Sequence, residues 1–356
     1  MSGLPVSGGT VRKVPLPKRV TRMIETRALR TVFRVFVALT TAVCGFHLLS
    51  APGHAQSVNS RLVDISVYSP SMGRDIPLQV LQPVDTSTPA PTLYLLNGVD
   101  GGKDDATWSV RTDAPKFLAD KHVNVVTPLG GAFSYYTDWE RPDPGLAKSG
   151  NNNGVNMWTT FLTEELPPVV DSMFATTGEN ALAGLSMAGT SVLDLAMAAP
   201  ALYNSVGSFS GCAMTSPGIG QDFVKLVVAV GGGDAENMWG PYDGPGWPAH
   251  DPVVNADKLP RIPMYITTAT GIPGPYDTLA DPRIGNDVTD LALQLVLGCG
   301  IEAATHYCTT QLADRTNALG MNNIRYNFKP AGTHSWGYWE DDLHDSWPMI
   351  AASLGV

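Results

Sequence analysis

Charge is scarce in this chain: Asp, Glu, Lys and Arg make up 16% of 356 residues, against 44% hydrophobic ones. A chain so composed is long and apolar enough for one large α/β domain, and no second composition regime marks another. Cysteine is scarcer still, with four residues. Neither a Cys-x-x-Cys pair nor a His-Glu-x-x-His string occurs, which removes the usual frames of a metal site, so no cofactor is expected. Internal repeats, coiled-coil heptads and low-complexity tracts are also lacking. The longest apolar run, residues 35–49, falls short of the roughly 20 residues that span a bilayer.

The bases are present but unevenly placed. Residues 1–55 hold eight of them (Arg12, Lys13, Lys18, Arg19, Arg22, Arg27, Arg30 and Arg34) against the single acid Glu25. Of 23 bases and 33 acids, the remainder therefore keeps 15 and 32, a formal charge of −17. A basic arm, an apolar run and the small residues Gly53 and Ala55 read as a secretory signal peptide cleaved after Ala55. Thr-Ala-Val precedes Cys44 in place of a lipoprotein box. The expectation is a leader over 1–55 and an acidic, exported domain over 56–356 that does not bind nucleic acid. Cleavage would leave Cys212, Cys299 and Cys308, an odd count that suits one disulfide and one free thiol in an oxidising compartment. A bridge ending at Cys308 is expected, with Cys299 and Cys212 both open as its partner.

Strand and helix patterns alternate from residue 61 onward, the signature of a mostly parallel sheet with helices on both faces. Segments 61–68 and 75–81 read as an opening hairpin, and 92–96, 123–127, 180–184, 206–209, 263–268 and 324–328 as strands. Helices are expected at 113–121, 158–174, 186–199, 223–229, 287–297, 301–319 and 343–354. Two long irregular stretches remain. Residues 130–154 are rich in Gly, Asn and aromatics, and 239–253 in Pro, Gly and Trp. Loops that long inside a domain are usually functional or disordered.

One motif carries chemistry. Gly184-Leu-Ser-Met-Ala-Gly189 sets Gly-x-Ser-x-Gly between an expected strand and an expected helix. A strand-to-helix turn this sharp needs small neighbours and thrusts the serine out of the sheet, while the helix N-terminus offers free N–H groups to a developing oxyanion. This pattern is the nucleophile elbow of the α/β-hydrolase fold, with Ser186 as nucleophile. In that fold the base follows the last strand. His334 sits there, whereas His344 reads as a surface residue of the last helix, His306 as a helix-face residue, and His250 as part of the Trp/Pro stretch. The acid is less legible. Its usual place, after the strand ending at Thr268, nominates Asp277 or Asp281, with Glu302 as a third choice whose simpler role is to complement a helix dipole.

A resemblance bears on the acid. Ser69-Pro-Ser-Met-Gly-Arg-Asp75, Tyr94-Leu-Leu-Asn-Gly98, Ser134-Tyr-Tyr-Thr-Asp-Trp139, Phe161-Leu-Thr-Glu-Glu-Leu166, Met238-Trp-Gly-Pro241 and Asn327-Phe-Lys-Pro-Ala-Gly-Thr-His-Ser-Trp336, with the elbow, run in order along nearly the whole exported region. In these residues the chain resembles the secreted mycolyltransferases of mycolic-acid-bearing actinobacteria, the fibronectin-binding antigen family. The resemblance implies a catalytic Ser186, Glu302 and His334, and an oxyanion hole from the N–H groups of Val99 and Met187. It also implies transfer of a mycolyl group from trehalose monomycolate, or a related acylated sugar, to a sugar hydroxyl of trehalose or cell-wall arabinogalactan, with peripheral contact to the cell envelope. Asn97, Asp100, Trp239 and Trp336 are the expected substrate contacts. The chain departs from the family at the sugar site. Asn97-Gly-Val-Asp100 replaces Asp-Gly-Leu-Arg, Ala106 replaces a sugar-contacting Asn, and Thr268 matches a cysteine near the active site. Two other readings accompany this one: a secreted carboxylesterase, which would prefer water as acceptor, and a catalytically silent matrix- or glycan-binding relative, which would have no use for an intact triad.

Overall fold

The computed structural model describes residues 61–148, 153–216 and 218–356. The expected leader over 1–55 and its cleavage point at Ala55 lie outside them. Eight strands form one sheet: β1 (Leu62–Ser69), β2 (Arg74–Leu81), β3 (Ala90–Leu96), β4 (Asn124–Pro128), β5 (Thr176–Leu185), β6 (Ser205–Phe209), β7 (Met264–Thr268) and β8 (Ile324–Phe328). Their order is β1-β2-β4-β3-β5-β6-β7-β8. β1 pairs with β2 and β2 with β4 antiparallel, and the remaining pairs are parallel. The α/β-hydrolase architecture expected from the alternating pattern is the one found.

The central strands read as continuous apolar runs because helices cover both faces of the sheet. All residues of β3, β4, β6 and β7 are buried. Side chains alternate between two cores, as the strand repeat requires. Tyr94, Leu96, Leu182, Val206, Met264 and Ile266 enter one core, and Leu93, Leu95, Ala183, Leu185, Phe209 and Tyr265 the other. The first core is closed by α1 (Leu166–Met173), α2 (Met187–Ala198) and α3 (Ile219–Val230). Two further helices are α4 (Cys299–Ala318) and α5 (Trp336–Leu354). The stripe Trp339, Leu343, Trp347, Ile350 and Leu354 of α5 closes the second core. Its three- and four-residue spacing keeps all five on one helical face.

Several element boundaries differ from expectation, each for a local reason. α5 begins at Trp336 rather than near Leu343. Its first turn, Trp-Gly-Tyr-Trp, has a weak helical pattern, but Gly337 lies flat against the Tyr276 ring, where a Cβ would come within 2.4 Å. β5 begins at Thr176, four residues early, because its first four residues are largely exposed and show no apolar pattern. The expected helix over 158–174 breaks into a short α segment, a π turn (Phe161–Glu165) and α1. Pro167 and Pro168 bring no N–H to that junction, so an α ladder cannot run through it. Within 130–154, Tyr135, Tyr136 and Trp139 are buried and Pro144–Lys148 is helical.

The disulfide joins Cys212 to Cys308 and leaves Cys299 free. Cys299 and Cys308 share α4, where nine residues of rise separate them by about 13 Å, beyond the reach of a bridge.

Candidate active site

Ser186 occupies the turn between β5 and α2 with φ 56° and ψ −123°, a conformation disfavoured for a residue with a side chain. The flanking glycines make it possible. A Cβ on Gly184 would lie 2.8 Å from that of Ala188, and one on Gly189 would lie 2.8 Å from the Phe209 carbonyl. Ser186 N–H donates to the same Phe209 carbonyl at 2.8 Å, anchoring the elbow to β6.

His334 arrives on the loop between β8 and α5, its backbone N–H bonded to the Gly298 carbonyl at 3.1 Å. Its Nε2 stands 2.7 Å from Ser186 Oγ and its Nδ1 2.8 Å from Glu302 Oε2. Glu302, in the first turn of α4, is 1% exposed. Such burial is costly for a carboxylate unless donors surround it. Glu302 Oε1 accepts from Ala269 N–H at 2.6 Å, Ser210 Oγ at 2.9 Å and Thr268 Oγ1 at 3.0 Å. Trp339 Nε1 in turn donates to Ser210 Oγ at 3.1 Å, and its ring stands edge-on to that of His334. An imidazole whose Nδ1–H faces a carboxylate has Nε2 free to accept a hydroxyl proton.

No acceptor among the described residues faces the N–H of Val99 or that of Met187. Met187 opens α2, whose first N–H groups have no partner within the helix. Gly98 packs against Ser186, 3.6 Å from its Cβ on an added Cβ, so the Val99 turn borders the nucleophile.

Residues 69–350 match the family model described as "Putative esterase". The chain belongs to the esterase family. The esterase is 36% identical over 328 residues to a protein of Mycobacterium leprae named diacylglycerol acyltransferase/mycolyltransferase Ag85A, covering 90% of this chain and 92% of that one. With the protein of the same name from Mycobacterium tuberculosis it shares 34% identity over 295 residues, 82% of this chain and 81% of the relative. The crystal structure of Mycobacterium tuberculosis MPT51 (FbpC1) superimposes with a TM-score of 0.65 at 26% identity, covering 83% of this chain and all of that one.

In this esterase the other expected residues lie apart from the Ser186–His334–Glu302 line. Asp281 pairs with Arg283, and Asp277 binds Thr333, Tyr338, Gln294 and Gly274; neither touches His334. His344 bonds to Asp113 and stacks on Phe117, His250 bonds to Asp194, and His306 meets Phe328. Asn97, expected at the substrate, is fully buried, donating to the Pro128 carbonyl and accepting from Trp108 N–H. Its amide is consumed by the scaffold. Trp239 is likewise packed away, stacked on His250, edge-on to Trp247 and bonded to Thr137. Asp100 stays on the rim of the Val99 turn; burial pushes its carboxyl up to about 6, against the opposing Gly102 N–H.

Of the expected contacts, Trp336 lines a cavity of about 230 Å³ with Arg111, Tyr276, Asp281, Arg283, Asp290, Gln294 and Ser335. Arg283 is held by Asp281 and Glu340, whereas the Arg111 side chain makes no hydrogen bond or ion pair among the described residues. Sequence reasoning missed Ser210 and Arg111, and met Thr268 only as the match to a cysteine near the active site, without a role. Nothing in their local strings marks them, apart from the Ser210-Gly211 pair, which coincides with a positive φ of 52° at Ser210.

Proposed function

We propose that this esterase is a serine acyltransferase that moves a mycolyl group from trehalose monomycolate, or a related acylated sugar, to a sugar hydroxyl. The observation that carries the reading is the continuous hydrogen-bonded line from Ser186 Oγ through His334 to Glu302. His334 Nε2 takes the Ser186 proton as Oγ attacks the ester carbonyl, and the N–H groups of Val99 and Met187 receive the oxyanion. Collapse breaks the ester C–O bond, and His334 returns the proton to the leaving sugar hydroxyl. A second sugar hydroxyl then gives its proton to His334 and attacks the acyl carbon; the acyl–Oγ bond breaks, and His334 hands that proton to Ser186 Oγ, restoring the free serine. Throughout, Glu302 holds the imidazole tautomer and stabilises its cation.

The cavity beside Trp336 suits the acceptor. A lining of Trp336 with guanidinium, carboxylate, amide and hydroxyl groups offers a sugar ring both apolar surface and hydrogen-bond donors and acceptors. Export through a leader cleaved near Ala55 accompanies the reading, and the Cys212–Cys308 bridge fits an oxidising compartment. The test offers trehalose monomycolate with trehalose and an arabinan fragment together. Diester or acylated arabinan, lost in Ser186→Ala, is the expected product. Free mycolic acid alone would make the protein a carboxylesterase, and no turnover at all would leave a binding relative.

A further inference from the structure

Asp277 is a buried carboxylate, 8% exposed, that the transfer chemistry leaves unused. Four donors converge on it, one from its own turn, one from the π turn before α4 and two that flank His334. Oδ1 accepts from Thr333 Oγ1 at 2.5 Å and Gln294 Nε2 at 2.7 Å, and Oδ2 from Tyr338 Oη at 2.6 Å and Gly274 N–H at 2.7 Å. Thr333 directly precedes the base, and Tyr338 lies in the first turn of α5 that follows it. Gln294 opens the π turn Gln294–Gly298, whose last carbonyl receives His334 N–H.

We propose that Asp277 is a positioning residue for the base: it clamps the His334 loop on both sides and fixes the segment that the His334 backbone bonds to. The inference rests on the reading of Ser186 and His334 given above. A carboxylate is required at 277 because each of its oxygens faces a donor that cannot be reversed. Gly274 offers a backbone N–H to Oδ2. At Oδ1, Gln294 Nε2 also donates to the Tyr276 carbonyl at 3.2 Å, so turning that amide would set oxygen against oxygen. An asparagine at 277 must therefore point its own NH2 at a donor, whichever way it is placed. A buried donor left unpaired is costly, and the loop relieves that cost by moving. Displacements of about 1 Å in a reacting group reach about 100-fold in rate.

The experiment is steady-state hydrolysis of a p-nitrophenyl ester by Asp277→Asn, in the wild-type and His334→Ala backgrounds, with near-UV circular dichroism to establish folding. The expected result is a kcat about 10-fold lower with KM within about two-fold, and no further loss when His334 is already absent. A folded Asp277→Asn protein with wild-type kcat would overturn the proposal, as would an equal 10-fold loss in the His334→Ala background. If Asp277→Asn does not fold, Thr333→Val, which removes one of the four bonds, takes its place; an unchanged kcat there is equally fatal. Wild-type activity in His334→Ala alone would instead bring down the functional reading beneath, and is read separately.

Discussion

Glu302→Gln changes one atom of the proposed Ser186–His334–Glu302 triad, and the geometry dictates its effect. The amide of a glutamine at 302 has two placements. With NH2 at the Oε1 site it would face Ala269 N–H, a fixed donor at 2.6 Å. The amide therefore turns its NH2 toward His334 Nδ1, the site of Oε2. Nδ1 must then accept, the ring proton moves to Nε2, and Nε2 donates to Ser186 Oγ instead of taking its proton. The same tautomer reversal in a Ser-His-Asp protease costs about 10⁴ in kcat, or about 5.4 kcal/mol of transition-state free energy. A loss of that order, with KM little changed, is expected for p-nitrophenyl ester hydrolysis and for trehalose monomycolate alike. Combining Glu302→Gln with Ser186→Ala should remove nothing further, since the triad acts as a unit. A Glu302→Gln enzyme within about 10-fold of wild type would refute the argument. So would a larger loss in Asp281→Ala, because that would return the acid to the loop after β7.

Other outcomes follow from the same geometry. Burial raises Asp100 to about 6 from an ordinary value near 3.9, so the folded chain binds more protons than the unfolded one between those values. Its contribution to stability is therefore lost as pH rises from about 4 to about 6, by at most about 2–3 kcal/mol; urea titrations across that range should show the slope flatten in Asp100→Asn. Arg111→Gln should lower the ratio of acyl transfer to hydrolysis several-fold while leaving p-nitrophenyl ester acylation within about two-fold, and an unchanged ratio would remove Arg111 from the acceptor site. The Cys212–Cys308 bridge closes a loop with a sequence separation of 96. Cys308→Ser should then lower the unfolding free energy by about 4 kcal/mol in denaturant titration.

The elbow, the alternation of strands and helices, and the loop that carries His334 were legible in sequence because each is local. Gly184 and Gly189 are required within a few residues of Ser186, and His334 follows the last strand directly. By itself the sequence thus determined an α/β-hydrolase sheet with a serine at the tip of β5. The acid was not local. Asp277, Asp281 and Glu302 are alike as carboxylates after β7; the resemblance pointed to Glu302, and the tertiary structure gives the physical reason, since α4 aims Glu302 at the imidazole while Thr333 and Tyr338 hold Asp277 aside. The disulfide was undecided for the same reason, since helical rise keeps Cys299 from Cys308 and the packing of α4 against the β6 exit brings Cys212 to it. Asn97 and Trp239 were read as substrate contacts because polarity and aromaticity at a loop look alike whether they face a ligand or the scaffold. Burial separates the two cases, and burial is a property of the whole fold.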